Sequence, residues 1–254
     1  MDDPPALILL HGFTNSGASW APVISGLGER YRAIAPDIRG HASAGRIRPI
    51  TLEAVVADVA ALTEGPFALA GYSQGGRIAL HVALAHPERV TRLVLLSASP
   101  GLAEADERER RRLSDARLAA EMEGQTIEEF ASRWAETTVL ADLPRELAAG
   151  AHADRLRSTP QDLAAALRGL GTGSLPSAWE RLPELRMPVS LIVGERDAKF
   201  TALAHEMARR IPQARVTVVP GAGHAVHLER PDVVVEELLA ADPPQSSSGH
   251  SSRS

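Results

Sequence analysis

Residues 67–85 read FALAGYSQGGRIALHVALA, an apolar run, a small-residue turn and a helix-period segment with no spacer between them. Inside this stretch Gly71-Tyr72-Ser73-Gln74-Gly75 matches G-x-S-x-G. The pattern alone is a weak signal, and its flanks sharpen it. A strand that turns at once into a helix strains its turn residue, and the neighbours must be small for the two segments to pass. Such a turn lifts the Ser73 hydroxyl into the open, with a helix N-terminus beneath it. A serine N-cap beside a packing glycine is the plainer alternative. The order strand, turn, helix favours a nucleophile elbow.

Outward from the elbow, further short apolar runs lie at 6–10, 32–36, 92–98, 189–194 and 215–219, with the elbow's own strand at 67–71. They are continuously apolar rather than alternating, as strands covered on both faces are. Helical periodicity fits 18–28, 51–63, 75–86, 201–211 and 231–241. Strands alternating with helices imply an α/β fold with a mostly parallel sheet, helices on both faces and right-handed crossovers. The alternation stops over 100–186, which reads helical at 103–123, 125–138, 143–157 and 160–169. That stretch is too long for a loop, and strands resume after it. We therefore expect a core at 1–99 and 187–241, and an inserted helical cap at 100–186. The polar end, 242–254, is expected to be disordered.

Composition narrows the function classes. The chain has 254 residues, 44% apolar, and a net charge of −5, so it buries a substantial core and shows no basic excess for nucleic acid. Zero cysteines exclude disulfides, thiolate metal sites and cysteine nucleophiles. No apolar stretch reaches the roughly 18 residues of a membrane span, and MDDPPALILLHG does not read as a signal peptide. The expectation is a cytoplasmic protein, a monomer or weak homo-oligomer. No histidine pair carries metal-ligand spacing, and no phosphate-cradling loop follows a strand, so no metal or cofactor is expected.

A serine hydroxyl needs a histidine to take its proton, and that histidine needs an acid to hold its tautomer. In a doubly wound sheet the chain order is Ser…Asp…His. Ser73, Asp197 in GERDAKF and His224 in PGAGHAVHLE meet that order, the last two just after strands, at the sheet edge where open α/β folds place their sites. Glu195 is a rival acid, His227 a rival base, and Asp197 also suits a helix N-cap. An oxyanion hole needs two backbone N–H groups. Gln74, after the serine, supplies one, and Phe13 in His11-Gly12-Phe13 the other. Arg77 lies one helical turn beyond Ser73, where a cation opposes the helix dipole, so binding a substrate carboxylate is its better explanation.

The elbow, LLHGF and GAGH together resemble the α/β-hydrolase superfamily. A finer resemblance emerges from LLHGFTNSGASW, GYSQGGRIAL, PERVTRLVLLSASPGL, LRGLGTGSLPSAWERLPEL, GERDAKF and AGHAVHLERP in that order. They look like the 2-succinyl-6-hydroxy-2,4-cyclohexadiene-1-carboxylate synthases of menaquinone biosynthesis, over most of 6–235. That resemblance implies a cofactor-free lyase that removes a proton beside a ketone and eliminates pyruvate from a small polycarboxylate. It also implies that Arg77, with Arg111 and Arg155 of the cap, meets substrate carboxylates, Arg110 and Arg157 being rivals in register. Tyr72 and Trp134 fall at pocket positions of the family. Gln74 stands where the family usually has Met, DIRGHASAG replaces DLPGHG, Leu175 replaces Gln and Thr159 replaces Asn. A carboxylesterase or C–C bond hydrolase working through an acyl-serine remains the alternative, and a non-catalytic binding protein a third.

Overall fold

The computed structural model describes residues 3–137, 140 and 143–240. The expected tail at 242–254, and the ends of the helices expected to reach 138 and 241, lie outside them. Six strands form one sheet: β1 (Ala6–Leu10), β2 (Arg32–Ile34), β3 (Phe67–Tyr72), β4 (Val90–Leu96), β5 (Val189–Gly194) and β6 (Ala214–Val219). Their order is β2-β1-β3-β4-β5-β6, and every pairing is parallel.

The central strands are mostly apolar because both of their faces are covered. On one face Ile8, Leu10, Leu69, Leu93, Leu95, Leu191 and Val193 join Val55, Ile78, Val82 and Met207 in one core. The last four come from α2 (Leu52–Ala61), α3 (Gln74–Ala85) and α8 (Ala198–Ala208). The alternate residues Leu7, Leu9, Ala70, Val94, Leu96 and Ile192 turn to the other face. There they meet Val23 and Leu27 of α1 (Ala21–Leu27) and Val234 and Leu238 of α10 (Pro231–Leu239). A side-chain period of two along a doubly covered strand produces this division.

Between β4 and β5 the described residues form four α-helices and no strand: α4 (Ala105–Glu123), α5 (Ile127–Ala135), α6 (Arg145–Arg155) and α7 (Pro160–Leu170). A 3-10 turn, Trp179–Glu184, leads back into the sheet. Helices α4, α5 and α7 share a small core of Ala119, Met122, Phe130, Leu163, Ala164 and Leu167, against which Phe13 and Trp134 pack. Two of them start on side-chain caps, Thr126 in a capping box with Glu129 and Thr159 ahead of Pro160.

Several boundaries differ from the periodicity. The expected helix 18–28 is a 3-10 turn, Gly17–Trp20, followed by α1, whose second residue is Pro22. The strand expected at 92–98 runs Val90–Leu96 and stops before Ser97, whose φ is 45°. The helix expected at 201–211 begins three residues earlier, directly after Asp197. A short α9 (Val226–Glu229), invisible in the periodicity, follows His224.

Candidate active site

Ser73 joins β3 to α3 at φ 51° and ψ −108°, a backbone conformation that strains any residue with a side chain. The flanking glycines are required by close approach. A Cβ on Gly75 would sit 2.2 Å from the Leu10 carbonyl oxygen, and one on Gly71 2.4 Å from that of Gly75. The strained turn points Ser73 Oγ at His224 Nε2, 3.1 Å away. His224 Nδ1 lies 2.6 Å from Asp197 Oδ2. The carboxylate accepts a hydrogen bond from the Nδ1–H, which fixes the tautomer and leaves Nε2 as the acceptor for the serine hydroxyl.

The loops after β5 and β6 bring these groups together by bonding to each other. Arg196 N–H donates to the Ala222 carbonyl at 2.9 Å, and Glu195 N–H to that of Val219 at 3.0 Å. Gly194 permits the crossing, since a Cβ there would lie 2.1 Å from the Gly223 oxygen. Asp197 occupies the N-cap position of α8, yet its side chain makes no capping bond and is spent on His224 instead. The rivals are engaged elsewhere. Glu195 is exposed and accepts from the Gly221 N–H at 2.9 Å. His227 is fully buried 4.2 Å from the Tyr72 ring, with no partner on either ring nitrogen. Burial, with His224 close by, pushes its pKa down to about 3.

The loop after β1 is held from below by His11. Its Nε2 accepts from the Ile38 N–H at 2.9 Å, so Nδ1 carries the proton and donates to the Gly12 carbonyl at 2.8 Å. Gly12 lies against the Tyr72 ring, where a Cβ would meet ring carbons at 2.7 Å. Phe13 and Gln74 both line the cavity above Ser73. As the first residue of α3, Gln74 has no intrahelical acceptor for its N–H.

That cavity, about 940 Å³, is lined from the sheet edge by Ser73, His224 and Arg77, and from the four-helix segment by Arg111, Asp115 and Trp134. The Arg77 side chain makes no hydrogen bond or ion pair among the described residues, and its Nε is buried without a partner. Burial, then the neighbouring Arg111, lowers its pKa to about 10, so it is charged at neutral pH. Arg111 Nε donates to Asp115 Oδ1 at 2.7 Å. Trp134 meets the Phe13 ring edge-on at 5.2 Å.

Two expected pocket residues are absent from the cavity wall. Arg155 is buried, 2% exposed, and Tyr72 is packed among His224, His227 and Gly12. Arg155 carries a pKa lowered by burial and partly restored by Tyr72 and Asp154. The rivals Arg110 and Arg157 are exposed, and neither lines this cavity. Sequence reading passed over Asp115, Asp154 and Lys199. Asp115 had a local signal, its i,i+4 spacing from Arg111. Lys199 lines the cavity beside Asp197, inside a segment already quoted for the resemblance. Among the described residues no cluster of three or more His, Asp or Glu is placed to hold a metal, and no helix is long and apolar enough to cross a membrane.

Residues 7–237 match the model of the alpha/beta hydrolase family. The chain is 36% identical over 251 residues to a Bacillus subtilis (strain 168) protein whose provisional name is 2-succinyl-6-hydroxy-2,4-cyclohexadiene-1-carboxylate synthase, covering 93% of this chain and 90% of that one. It is 32% identical over 242 residues to the enzyme of that name from Salmonella newport (strain SL254), covering 92% of each. In three dimensions it resembles MenH from S. aureus, with a TM-score of 0.88 and 29% identity, covering 94% of this chain and 93% of that one.

Proposed function

The chain belongs to the alpha/beta hydrolase family, and we propose that it is a cofactor-free carbon–oxygen lyase. It eliminates pyruvate from 2-succinyl-5-enolpyruvyl-6-hydroxy-3-cyclohexene-1-carboxylate and leaves 2-succinyl-6-hydroxy-2,4-cyclohexadiene-1-carboxylate. The names of the relatives and the full-length similarity support this reading. The observation that carries it within the molecule is Arg77, a half-buried arginine one helical turn from Ser73 that lines the cavity, with its Nε buried and no side-chain partner among the described residues. A neutral ester has no use for such a charge, whereas a polycarboxylate does.

In this mechanism Asp197 fixes the His224 tautomer, His224 draws the proton from Ser73, and the serine oxygen removes the ring proton beside the succinyl ketone. The Phe13 and Gln74 N–H groups stabilise the enolate oxygen that develops. Return of the electron pair through the ring breaks the bond between the ring carbon and the enolpyruvyl oxygen, and the departing enolate takes up the proton held by His224 to become pyruvate. Arg77 and Arg111 hold carboxylates so that the ring hydrogen faces Ser73. In this reading α4–α7 form a cap over the sheet edge, closing the cavity against water. Arg155, buried and outside the cavity lining, makes no substrate contact in this reading. The protein is assigned to the cytoplasm, as a monomer or weak homo-oligomer.

Incubating the purified protein with the succinylated enolpyruvyl cyclohexene and coupling pyruvate to lactate dehydrogenase tests the assignment. Folded protein releasing no pyruvate above background would refute it. A second reading, ester hydrolysis through an acyl-serine, is favoured by the same strained elbow and 3.1 Å Ser73–His224 contact. It predicts a burst with p-nitrophenyl esters and covalent capture of Ser73 by fluorophosphonates. Arg77→Ala separates the two, because only the lyase loses activity on an anionic substrate while neutral esters are spared.

A further inference from the structure

We propose that Asp115 is a positioning residue that aims Arg111 across the cavity at Arg77, so that the two guanidinium groups grip one polycarboxylate from opposite walls. The inference rests on the proposed function, because it names how that site sorts its substrate class. Asp115 lies one turn after Arg111 on α4, and its side chain is 6% exposed against 45% for Arg111. A buried carboxylate is thus bonded to a cation that reaches into the cavity. Through Nε alone, Arg111 meets Oδ1 at 2.7 Å, which leaves its end-on Nη1/Nη2 fork for a ligand carboxylate.

The other carboxylate oxygen explains a stretch of sequence that the catalytic reading leaves idle. Asp115 Oδ2 accepts from the Gly173 N–H at 3.4 Å, and a Cβ on Gly171 would sit 2.7 Å from that same oxygen. A Cβ on Gly173 would lie 2.2 Å from the Arg112 backbone nitrogen. Gly171-Thr172-Gly173 therefore lies flat on the turn of α4 that carries Arg111 and Asp115. At 171 and 173 only glycine allows that approach. The GTG turn at the end of α7 fixes Asp115, and Asp115 fixes Arg111. Without that bond, Arg111 would swing among the many rotamers of an exposed arginine, and its ordering would be lost from each binding event.

Trp134 and Trp179 both line the cavity, so citrate, a tricarboxylate probe, can be titrated against tryptophan fluorescence without turnover. Asp115→Asn is expected to weaken citrate about tenfold, the loss typical of one charge-assisted hydrogen bond. On the cyclohexene substrate it should raise KM about tenfold, with kcat within about threefold. Arg111→Ala should match it, and the double variant should be no worse than Arg111→Ala alone. Asp115→Asn binding citrate as tightly as wild type or tighter would overturn the proposal. So would losses that multiply in the double variant, or a wild-type protein that ignores citrate. Should Asp115→Asn not fold, Arg111→Lys carries the test: its charge is retained but unaimed, and full citrate affinity there counts against the proposal. Failure of wild-type protein to release pyruvate would refute the lyase assignment, while the citrate series still decides Asp115.

Discussion

Asp154 holds Ser16 across 138 residues of chain: its Oδ2 accepts the Ser16 backbone N–H at 2.9 Å, and its Oδ1 accepts the Ser16 hydroxyl. Asn15 adds a 3.4 Å bond from its side-chain amide to the same carboxylate. Helix α6 thereby grips the loop that carries Phe13, while the Phe13 ring packs against the core of the four-helix segment. The loop includes Thr14 at φ 70°, so it does not rest in a relaxed conformation unaided. Asp154→Ala is expected to lower kcat about tenfold on anionic substrate and neutral ester alike, with KM little changed. The oxyanion donor is shared by both reactions, and loosening it costs less than deleting it. Steady-state kinetics on both substrates checks this, and a loss confined to the anionic substrate would assign Asp154 to binding instead.

Arg77 pits function against stability. Its pKa is lowered to about 10, mainly by burial, so the folded state disfavours its charged form. At neutral pH the charge is present and unpaired, hence destabilising. Arg77→Met removes it while keeping an unbranched chain of helix-forming character. We expect a gain of ~1–2 kcal/mol, seen as a rise of several degrees in Tm, together with a loss of at least about a hundredfold in kcat/KM on the polycarboxylate. Differential scanning fluorimetry and the pyruvate assay measure the two sides. A lower Tm in the variant would mean that Arg77 stabilises the fold after all.

How far the sequence could be read depended on whether a partner lay nearby in the chain. Ser73, Asp197 and His224 were legible because each follows a strand, and a parallel sheet brings strand ends together. Helical periodicity starts α8 at 201, whereas the helix begins at Ala198. Asp197 takes the cap position and spends its carboxylate on His224. Asp154 carries no local pattern, since its partners are 138 and 139 residues away. Arg155, which the resemblance implies meets a substrate carboxylate, is buried and outside the cavity lining, a placement that no local pattern in the sequence carries.

Two buried histidines should set the acid limb of stability. His227 and His41 both have pKa values pushed down to about 3, by burial first and then by a neighbouring histidine. The unfolded chain takes up each proton near 6.5, whereas the folded chain does not until about 3. Between those values the unfolded state binds more protons, so stability falls as pH falls, by up to about 1.4 kcal/mol per unit for each histidine. Above pH 6.5 neither contributes. Urea denaturation at pH 7 and pH 5 is expected to show a smaller difference for His227→Leu than for wild type. An unchanged difference would remove His227 from the account.

Gln74 separates a role of the backbone from one of the side chain. Its amide Nε2 donates to the Leu170 carbonyl at 3.2 Å, while Oε1 is buried without a partner. One modest bond is thus offset by one unsatisfied acceptor, and Met in its place loses the first while relieving the second. In the proposed mechanism only the Gln74 N–H meets the reacting oxygen, and Met presents the same N–H. Gln74→Met is therefore expected to keep kcat within about threefold and stability within ~1 kcal/mol. Gly75→Ala, one residue on, should do the opposite. Its Cβ would press into the Leu10 carbonyl oxygen at 2.2 Å and that of His11 at 2.4 Å, so β1 and α3 must part. A loss of more than ~3 kcal/mol is expected, beyond what surface changes produce. Parallel melts and pyruvate assays on the two variants test the pair. A Gln74→Met enzyme that folds normally but loses kcat a hundredfold would move the catalytic role from its backbone to its side chain.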